Sequence, residues 1–377
     1  AMREFYEAAE EMWNAQPGPA RWIKFWRMEN MGALVSPAQE AAMRTALERA
    51  EAAFSSALSV RGTQANEKLQ RQQIRVRMTR EAFRVTEAFL AWYRLREEML
   101  AEEIRDPAAG RRLLESLTRE KMLGRAFQDA LEKWRRSPLN PGAATAWNMF
   151  FTGDVDATVL ARLLARCREP SVLRAEEWAA VARAAEEWAR QNGLGPVAWL
   201  AAGEFLAEDG FDAASFRSPR AGSWAESRPV TYLRDPWRTV LFENATLRFG
   251  YSGHEPRNGD GCLRIVSSEQ TTLTRSVPVA GGEWIAGQAW CRGQINPGTY
   301  TALELRFYNR KGQPLVGRKT AVVHPATYAE WRPVVVAGRA PRGAVRAEVS
   351  IRSMSQEADE GLVWDDFSMV KLPGEKN

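Results

Sequence analysis

Histidine is almost missing from this chain, with His254 and His324 the only two among 377 residues. They stand far apart in loop-like settings, which removes most histidine-based acid–base chemistry and nearly all zinc chemistry. Cysteine is nearly as scarce: Cys167, Cys262 and Cys291 are the full set. Three such residues make neither a disulfide framework nor a metal knot. Cys262 and Cys291 would pair only if their strands were neighbours, and buried free thiols are the expectation. No apolar run suits a membrane span, so no membrane partner is expected. The P-loop, the GxSxG elbow, HExxH and the dinucleotide fingerprint are all missing as well.

What is present in quantity is arginine, and the formal net charge is +5. The arginines are scattered, and no basic stripe with interleaved aromatics forms, so nucleic acid is not an expected partner. A hydrophobic share of 45% with 26% charged residues describes an ordinary globular chain, and the length implies two or more domains. Acids sit side by side at Glu10-Glu11, Glu97-Glu98, Glu102-Glu103, Glu176-Glu177 and Glu186-Glu187. A catalytic pair must face across a cleft about 5–10 Å wide. Neighbours on a helix point about 100° apart, so these pairs read as solvated faces. The chain opens Ala1-Met2-Arg3 and runs at once into a helical pattern. The expectation is a C-terminal portion of something longer, with any signal peptide lying upstream.

From Arg3 to about Leu206 the apolar residues repeat with helical periods. Ser36-Pro37-Ala38-Gln39 is a helix start: Ser36 caps, Pro37 suits the first turn and Gln39 completes a capping box. In the next helix Leu69, Val76, Phe83 and Leu90 recur every seven residues, as do Met78, Val85, Trp92 and Met99. The two series lie on nearly opposite sides, which predicts a central helix with neighbours on both faces. Asp106-Pro107 opens another helix, and two more carry Leu160, Leu163, Leu164 and Cys167, then Trp178, Val181 and Ala185. The whole reads as a bundle of about six to eight helices with tryptophan in the core. Trp22 and Trp26 are the exceptions, placed where a loop would face a neighbouring domain.

Helical periodicity ends near Ala207, and Gly and Pro punctuate the chain to about Pro236. Short alternating segments follow: Val240–Glu243, Cys262–Val266, Thr272–Val277, Trp284–Arg292, Ala302–Tyr308, Thr320–Val323, Trp331–Val336, Arg346–Arg352 and Gly361–Leu372. Such a series favours an antiparallel two-sheet sandwich. The expected organisation is therefore multidomain, α then β. An α-helical domain spans 1–206, a linker or irregular layer 207–236, and a β-sandwich 237–373.

The ordered segments Leu241-Phe242-Glu243-Asn244, Asn258-Gly259-Asp260-Gly261-Cys262-Leu263-Arg264-Ile265 and Val363-Trp364-Asp365-Asp366-Phe367-Ser368 carry a resemblance. With Leu305-Arg306-Phe307-Tyr308-Asn309 and Glu330-Trp331-Arg332-Pro333 between them, they resemble the jelly-roll carbohydrate-binding modules of families four and nine. The resemblance implies a jelly roll over most of Val240–Leu372 and a polysaccharide or oligosaccharide as ligand. It also implies a structural Ca²⁺ between the first and last strands, held by Glu243 and Asp365 with Asp260 as a third donor. The helical part resembles the C-terminal region of large bacterial proteins built on an α-glucuronidase-like barrel. That resemblance implies an upstream catalytic domain, a secreted or periplasmic protein and no catalysis by this chain.

Strand alternation assigns faces. Leu303, Leu305 and Phe307 point inward, leaving Arg306 and Tyr308 outside; Ala289 and Cys291 point inward, leaving Trp290 and Arg292 outside. If these strands share a sheet, Trp290, Arg292, Arg306 and Tyr308 form one polar aromatic face. An aromatic ring stacks on a sugar's C–H side while charged groups bond its hydroxyls, and arginine suits acidic sugars. The expectation is a non-catalytic accessory region of a carbohydrate-active enzyme. A protein–protein or dimerisation module without sugar binding is the alternative.

Overall fold

Ser36 opens the first described helix in the way its sequence predicts. Its hydroxyl accepts the Gln39 N–H (3.2 Å), and the Gln39 side chain accepts the Ser36 N–H (2.9 Å). Asp106 does the same work two helices later, accepting the Ala109 N–H at 2.7 Å. The computed structural model describes residues 35–59, 65–139, 154–169, 171, 176–216, 225–226, 233, 237–241, 248–253, 256–266, 268–295, 300–316, 318–323, 327–356 and 362–373, with residues 3, 7 and 10. Five α-helices are described: α1 (Pro37–Ser59), α2 (Ala65–Ala101), α3 (Pro107–Arg136), α4 (Asp156–Cys167) and α5 (Glu176–Gln191). A 3-10 helix, Gly195–Ala202, follows them. Among the described residues no helix is long and apolar enough to cross a membrane.

The chain forms two compact units, one of residues 1–98 with 116–151, the other of residues 99–115 with 152–377. In the first, α2 has apolar neighbours on two sides, as its double heptad predicts. Phe83 packs with Met43 and Leu47 of α1. Val85, Phe89 and Trp92 pack with Phe127, Leu131 and Trp134 of α3. The Trp92 ring stacks on Phe127 (centroids 5.6 Å apart). Its buried N–H donates to Glu120 at 2.6 Å, and the Arg96 guanidinium lies 4.6 Å over the same ring. Burial thus leaves neither the indole nor the carboxylate without a counterpart, as a low-dielectric interior requires.

The second unit corrects the expected boundary at residue 206. α4, α5 and the 3-10 helix belong with the sandwich. An amphipathic stripe shows that a helix buries one face without showing against what, and the stripe of α4 is buried against a sheet. Within 207–236, expected as a linker or an irregular layer, Phe211, Phe216 and Leu233 are buried within the sandwich.

The strands are β1 (Glu204–Asp209), β2 (Ala225–Glu226), β3 (Arg238–Leu241), β4 (Arg248–Ser252), β5 (Cys262–Val266) and β6 (Ser268–Pro278), continuing with β7 (Trp284–Gln294), β8 (Tyr300–Tyr308), β9 (Lys319–Val323), β10 (Thr327–Arg339), β11 (Arg346–Gln356) and β12 (Leu362–Leu372). A seven-stranded sheet runs β10-β7-β12-β5-β4-β2, with β1 also paired to β12. A five-stranded sheet runs β3-β6-β11-β8-β9. All described pairings are antiparallel, so the two-layer sandwich expected from the alternation is what forms. Leu303, Leu305, Phe307, Val349 and Ile351 from one sheet meet Ile285, Ala289, Val334, Val336 and Trp364 from the other. Cys262 and Cys291 are free and buried, and β12 lies between their strands. Burial pushes their thiols up to about 11 and about 12, so neither is a nucleophile at neutral pH.

β10 is an edge of the seven-stranded sheet. Thr158 of α4 occupies that edge. Its hydroxyl accepts the Val335 N–H (2.9 Å) and donates to the Val335 carbonyl (3.1 Å), all in buried surroundings. One side chain thereby satisfies both backbone groups that a further strand would have taken.

Candidate functional site

The outer face of the seven-stranded sheet and the helices of the same unit enclose a cleft of about 1340 Å³. The sheet supplies Gln288, Trp290, Trp331, Pro333, Asp366 and Ser368; the helical wall supplies Ala161, Leu164, Ala165, Val197 and Leu200. Trp290 and Trp331 are half-buried, so each presents part of its ring to the cleft. Alternation explains the arrangement. Ala289 and Cys291 are in the core, so Trp290 and Arg292 stand on the other side of β7. Cys291 pairs with Arg332 across the ladder, which sets Trp331 near Arg292. The Arg292 guanidinium lies 5.2 Å over the Trp331 ring.

Six arginines line the cleft: Arg105, Arg162, Arg166, Arg168, Arg257 and Arg332. Most of their donors serve the fold. Arg162 donates to the carbonyls of Leu100 (2.9 Å) and Glu102 (2.8 Å), and Arg332 also reaches Leu100. Arg166 donates to the Ile104 carbonyl (3.1 Å) and pairs with Glu169. Arg168 reaches the Ala198 carbonyl and Glu186; Arg105 pairs with Glu103. Arg162, Arg166 and Arg332 thereby satisfy carbonyls at and just beyond the end of α2, a place that has no helical partners of its own. In contrast, Gln288, Glu208, Glu330 and Ser368 line the cleft without a side-chain hydrogen bond or ion pair among the described residues.

The four expected sugar-binding residues divide between two faces. Trp290 and Arg292 are on β7, whereas Arg306 and Tyr308 are on β8 of the other sheet. The condition that these strands share a sheet is not met, and the single face is corrected to two. Alternation fixes which side of a sheet a residue takes, and long-range pairing decides which sheet. On the five-stranded sheet Arg306, Arg318 and Arg352 surround the buried Glu304, while Arg238 and Arg346 flank the buried Glu348. The Arg346 guanidinium lies 4.7 Å over the Tyr308 ring. Burial and the Glu348 carboxylate push the Tyr308 phenol above its ordinary value.

The expected calcium ligands divide similarly. Glu243 lies outside the described residues. Asp365 is fully buried at a bulge in β12, where pairing with β7 shifts register between Asp365 and Ser368. One of its oxygens accepts the N–H groups of Arg257 (2.7 Å) and Asn258 (3.3 Å), and the other accepts that of Asp366 (2.8 Å). Asp260 accepts the Ala213 N–H at 2.8 Å. Calcium requires six to eight oxygens, and both carboxylates face N–H donors instead, so these two residues do not fit the ion. Among the described residues no group of three His, Cys, Asp or Glu could hold a metal.

What Asp365 and Asp366 do hold is a loop. Asp366, at a positive φ of 46°, pairs with the Arg257 side chain and accepts from the Asn258 amide. The clamp sets the Arg257 guanidinium 3.7 Å over the Trp290 ring. Burial lifts the Asp365 carboxyl to about 6, against the downward pull of the three N–H groups. Trp331 and Arg257 were missed in the sequence: the resemblance implies a core position for Trp331, and nothing local ties Arg257 to Trp290. Strand alternation does place Gln288 outward beside Trp290.

No protein-family model matches the chain, and no curated protein matches it. Solved structures do. The enzymatically active domain of bacteriophage CBA120 tailspike protein 4 matches at 14% identity over 37% of this chain and 20% of that chain, with a TM-score of 0.30. The Clostridium thermocellum xylanase 10B CBM22-1 and GH10 modules, complexed with xylohexaose, match at 14% identity over 44% and 28%, with a TM-score of 0.30. In both cases this chain spans less than a third of the other's length. The CBM22-1 xylan-binding domain of Paenibacillus barcinonensis Xyn10C matches at 10% identity over 46% of this chain and 97% of that chain, with a TM-score of 0.29. At such identities and scores the likeness lends nothing to a functional assignment, which rests on the cleft.

Proposed function

We propose that the sandwich unit is a non-catalytic glycan-binding module whose ligand lies in the cleft over Trp290 and Trp331. The observation that carries this reading is the pairing of two half-buried indoles with hydrogen-bonding side chains in one cleft of about 1340 Å³. That exceeds the roughly 300–1,000 Å³ of small-molecule pockets and suits an oligosaccharide. Sugar rings pack their C–H faces on indole, here on the ring surface that Arg257 and Arg292 leave exposed, and Gln288, Glu330, Glu208 and Ser368 offer partners for hydroxyls. Because the cleft's arginines are engaged by carbonyls and carboxylates, the ligand it suits is a neutral glycan. The accessory role, beside a catalytic domain elsewhere in a longer secreted protein, is part of the same proposal.

The test is a panel of soluble neutral glycans in affinity electrophoresis and calorimetry, with Trp290→Ala and Trp331→Ala. Each variant is expected to weaken binding at least about tenfold, the equivalent of losing one stacked ring. Binding untouched by both variants would place the site elsewhere, and hydrolysis of the panel by this chain would overturn the non-catalytic reading. A protein-docking module is the second reading, favoured by the exposed Phe205 and Trp199. It would show as self-association in sedimentation.

A further inference from the structure

A second groove, of about 570 Å³, opens at one end of the five-stranded sheet. Its lining includes Arg310 and Lys311 from the turn after β8, Arg346 at the start of β11, and Ser276 and Asn309. Three cations face the groove and no carboxylate lines it. The turn is held in one shape: the Asn309 side chain accepts the N–H groups of Lys311 (2.9 Å) and Gln313 (3.0 Å), and Gly312 takes a φ of 73°. Arg310 and Lys311 have no side-chain partner among the described residues. Arg346 is fixed differently, by Glu348 at 3.3 Å and by the Tyr308 ring. The adjoining sheet face adds to the field, since four further guanidinium groups, Arg238, Arg306, Arg318 and Arg352, lie there with only two carboxylates, Glu304 and Glu348.

From this we infer that the groove is an anion site, separate from the cleft, that takes the carboxylate or sulfate groups of an acidic polysaccharide. A concave surface of one charge sign concentrates oppositely charged ligand, and a rigid turn fixes the backbone from which Arg310 and Lys311 project, so the loop itself need not order on binding. Arg346 presents a planar fork suited to an oxyanion, while Arg310 and Lys311 supply charge. The groove lining offers no aromatic on which a nucleic-acid base would stack, which favours the polysaccharide. The polymer class rests on the glycan-binding reading, whereas the anion chemistry does not.

The probes are polygalacturonate for carboxylate, dextran sulfate for sulfate, unmodified dextran, and single-stranded DNA. The full chain is compared with Arg310→Ala/Lys311→Ala and with Arg111→Ala/Arg125→Ala, which removes the same charge from exposed helical positions. One or both acidic polymers should bind, more weakly as salt rises, and the groove variant should lose about tenfold or more of that affinity. The charge-matched control should bind as the parent does. No binding of either acidic polymer, equal losses in groove variant and control, or a preference for DNA would each overturn the inference. A loss of neutral-glycan binding in Trp290→Ala tests the cleft alone, so the two readings fail independently.

Discussion

Thr158→Val keeps the shape of the side chain while removing its hydroxyl, and it isolates the contact that joins α4 to the edge of the seven-stranded sheet. Val335 is fully buried, so water does not replace the lost partner of its N–H or of its carbonyl. Each buried backbone group left unmatched costs about 1–3 kcal/mol, and the extra methyl returns a fraction of one. The expected net loss is about 2–4 kcal/mol. Urea unfolding followed by tryptophan fluorescence reads that loss as a lower midpoint with unchanged slope. Amide exchange gives a more local reading, because Val335 should lose protection by about thirtyfold to a thousandfold. Thr158→Ser keeps both hydrogen bonds and should stay within about 1.5 kcal/mol of the parent. If the valine variant were as stable as the parent, or the serine variant the weaker of the two, the hydroxyl would not be sealing the edge.

Two further outcomes follow from the sandwich. The folded state holds the Asp365 proton up to about 6, against an ordinary value of 3.8, so it binds that proton more tightly than the unfolded chain does. This group's contribution therefore grows as pH falls from 7 to 4, by up to about 3 kcal/mol. Asp365→Asn does not titrate, so its stability difference from the parent should move in the parent's favour by that amount across the window. A flat difference, or movement the other way, would show that the N–H donors outweigh burial. At Gly287 an added Cβ would stand 2.7 and 2.8 Å from the Val349 methyls and 3.3 Å from Val336. Gly287→Ala should destabilise by about 1–3 kcal/mol in the same unfolding assay, with partial recovery in Gly287→Ala/Val349→Ala.

Much of the fold was legible because its periods are short. The heptads through Val76, Phe83 and Val85, Trp92 predicted a helix buried on two sides, and α2 is one. Alternation around Ala289 and Leu305 assigned faces correctly on β7 and β8. What the residues did not reveal was partnership at long range. That β7 pairs with β10 and β12 while β8 pairs with β11 and β9 depends on chain crossings between sheets. Trp290 therefore acquired the wrong expected companions, Arg306 and Tyr308, in place of Trp331 and Arg257. Asp365 was named in the sequence as a calcium ligand implied by the resemblance. Its work was misread, because a buried carboxylate meeting a cation and one meeting backbone N–H groups leave the same trace in sequence.

The arginines around Leu100, Glu102 and Ile104 change what the composition means. Read along the chain, they are scattered and form no basic stripe. Within the fold, Arg162, Arg166 and Arg332 cross-link an irregular connection to the sandwich through its carbonyl oxygens. Lysine has the charge but not the fork, and one ammonium on a flexible stem does not bridge two carbonyls set apart as those of Leu100 and Glu102 are. The exchange most often regarded as silent would here loosen a joint, and homologues should tolerate arginine loss on the outer helix faces long before they tolerate it at this one.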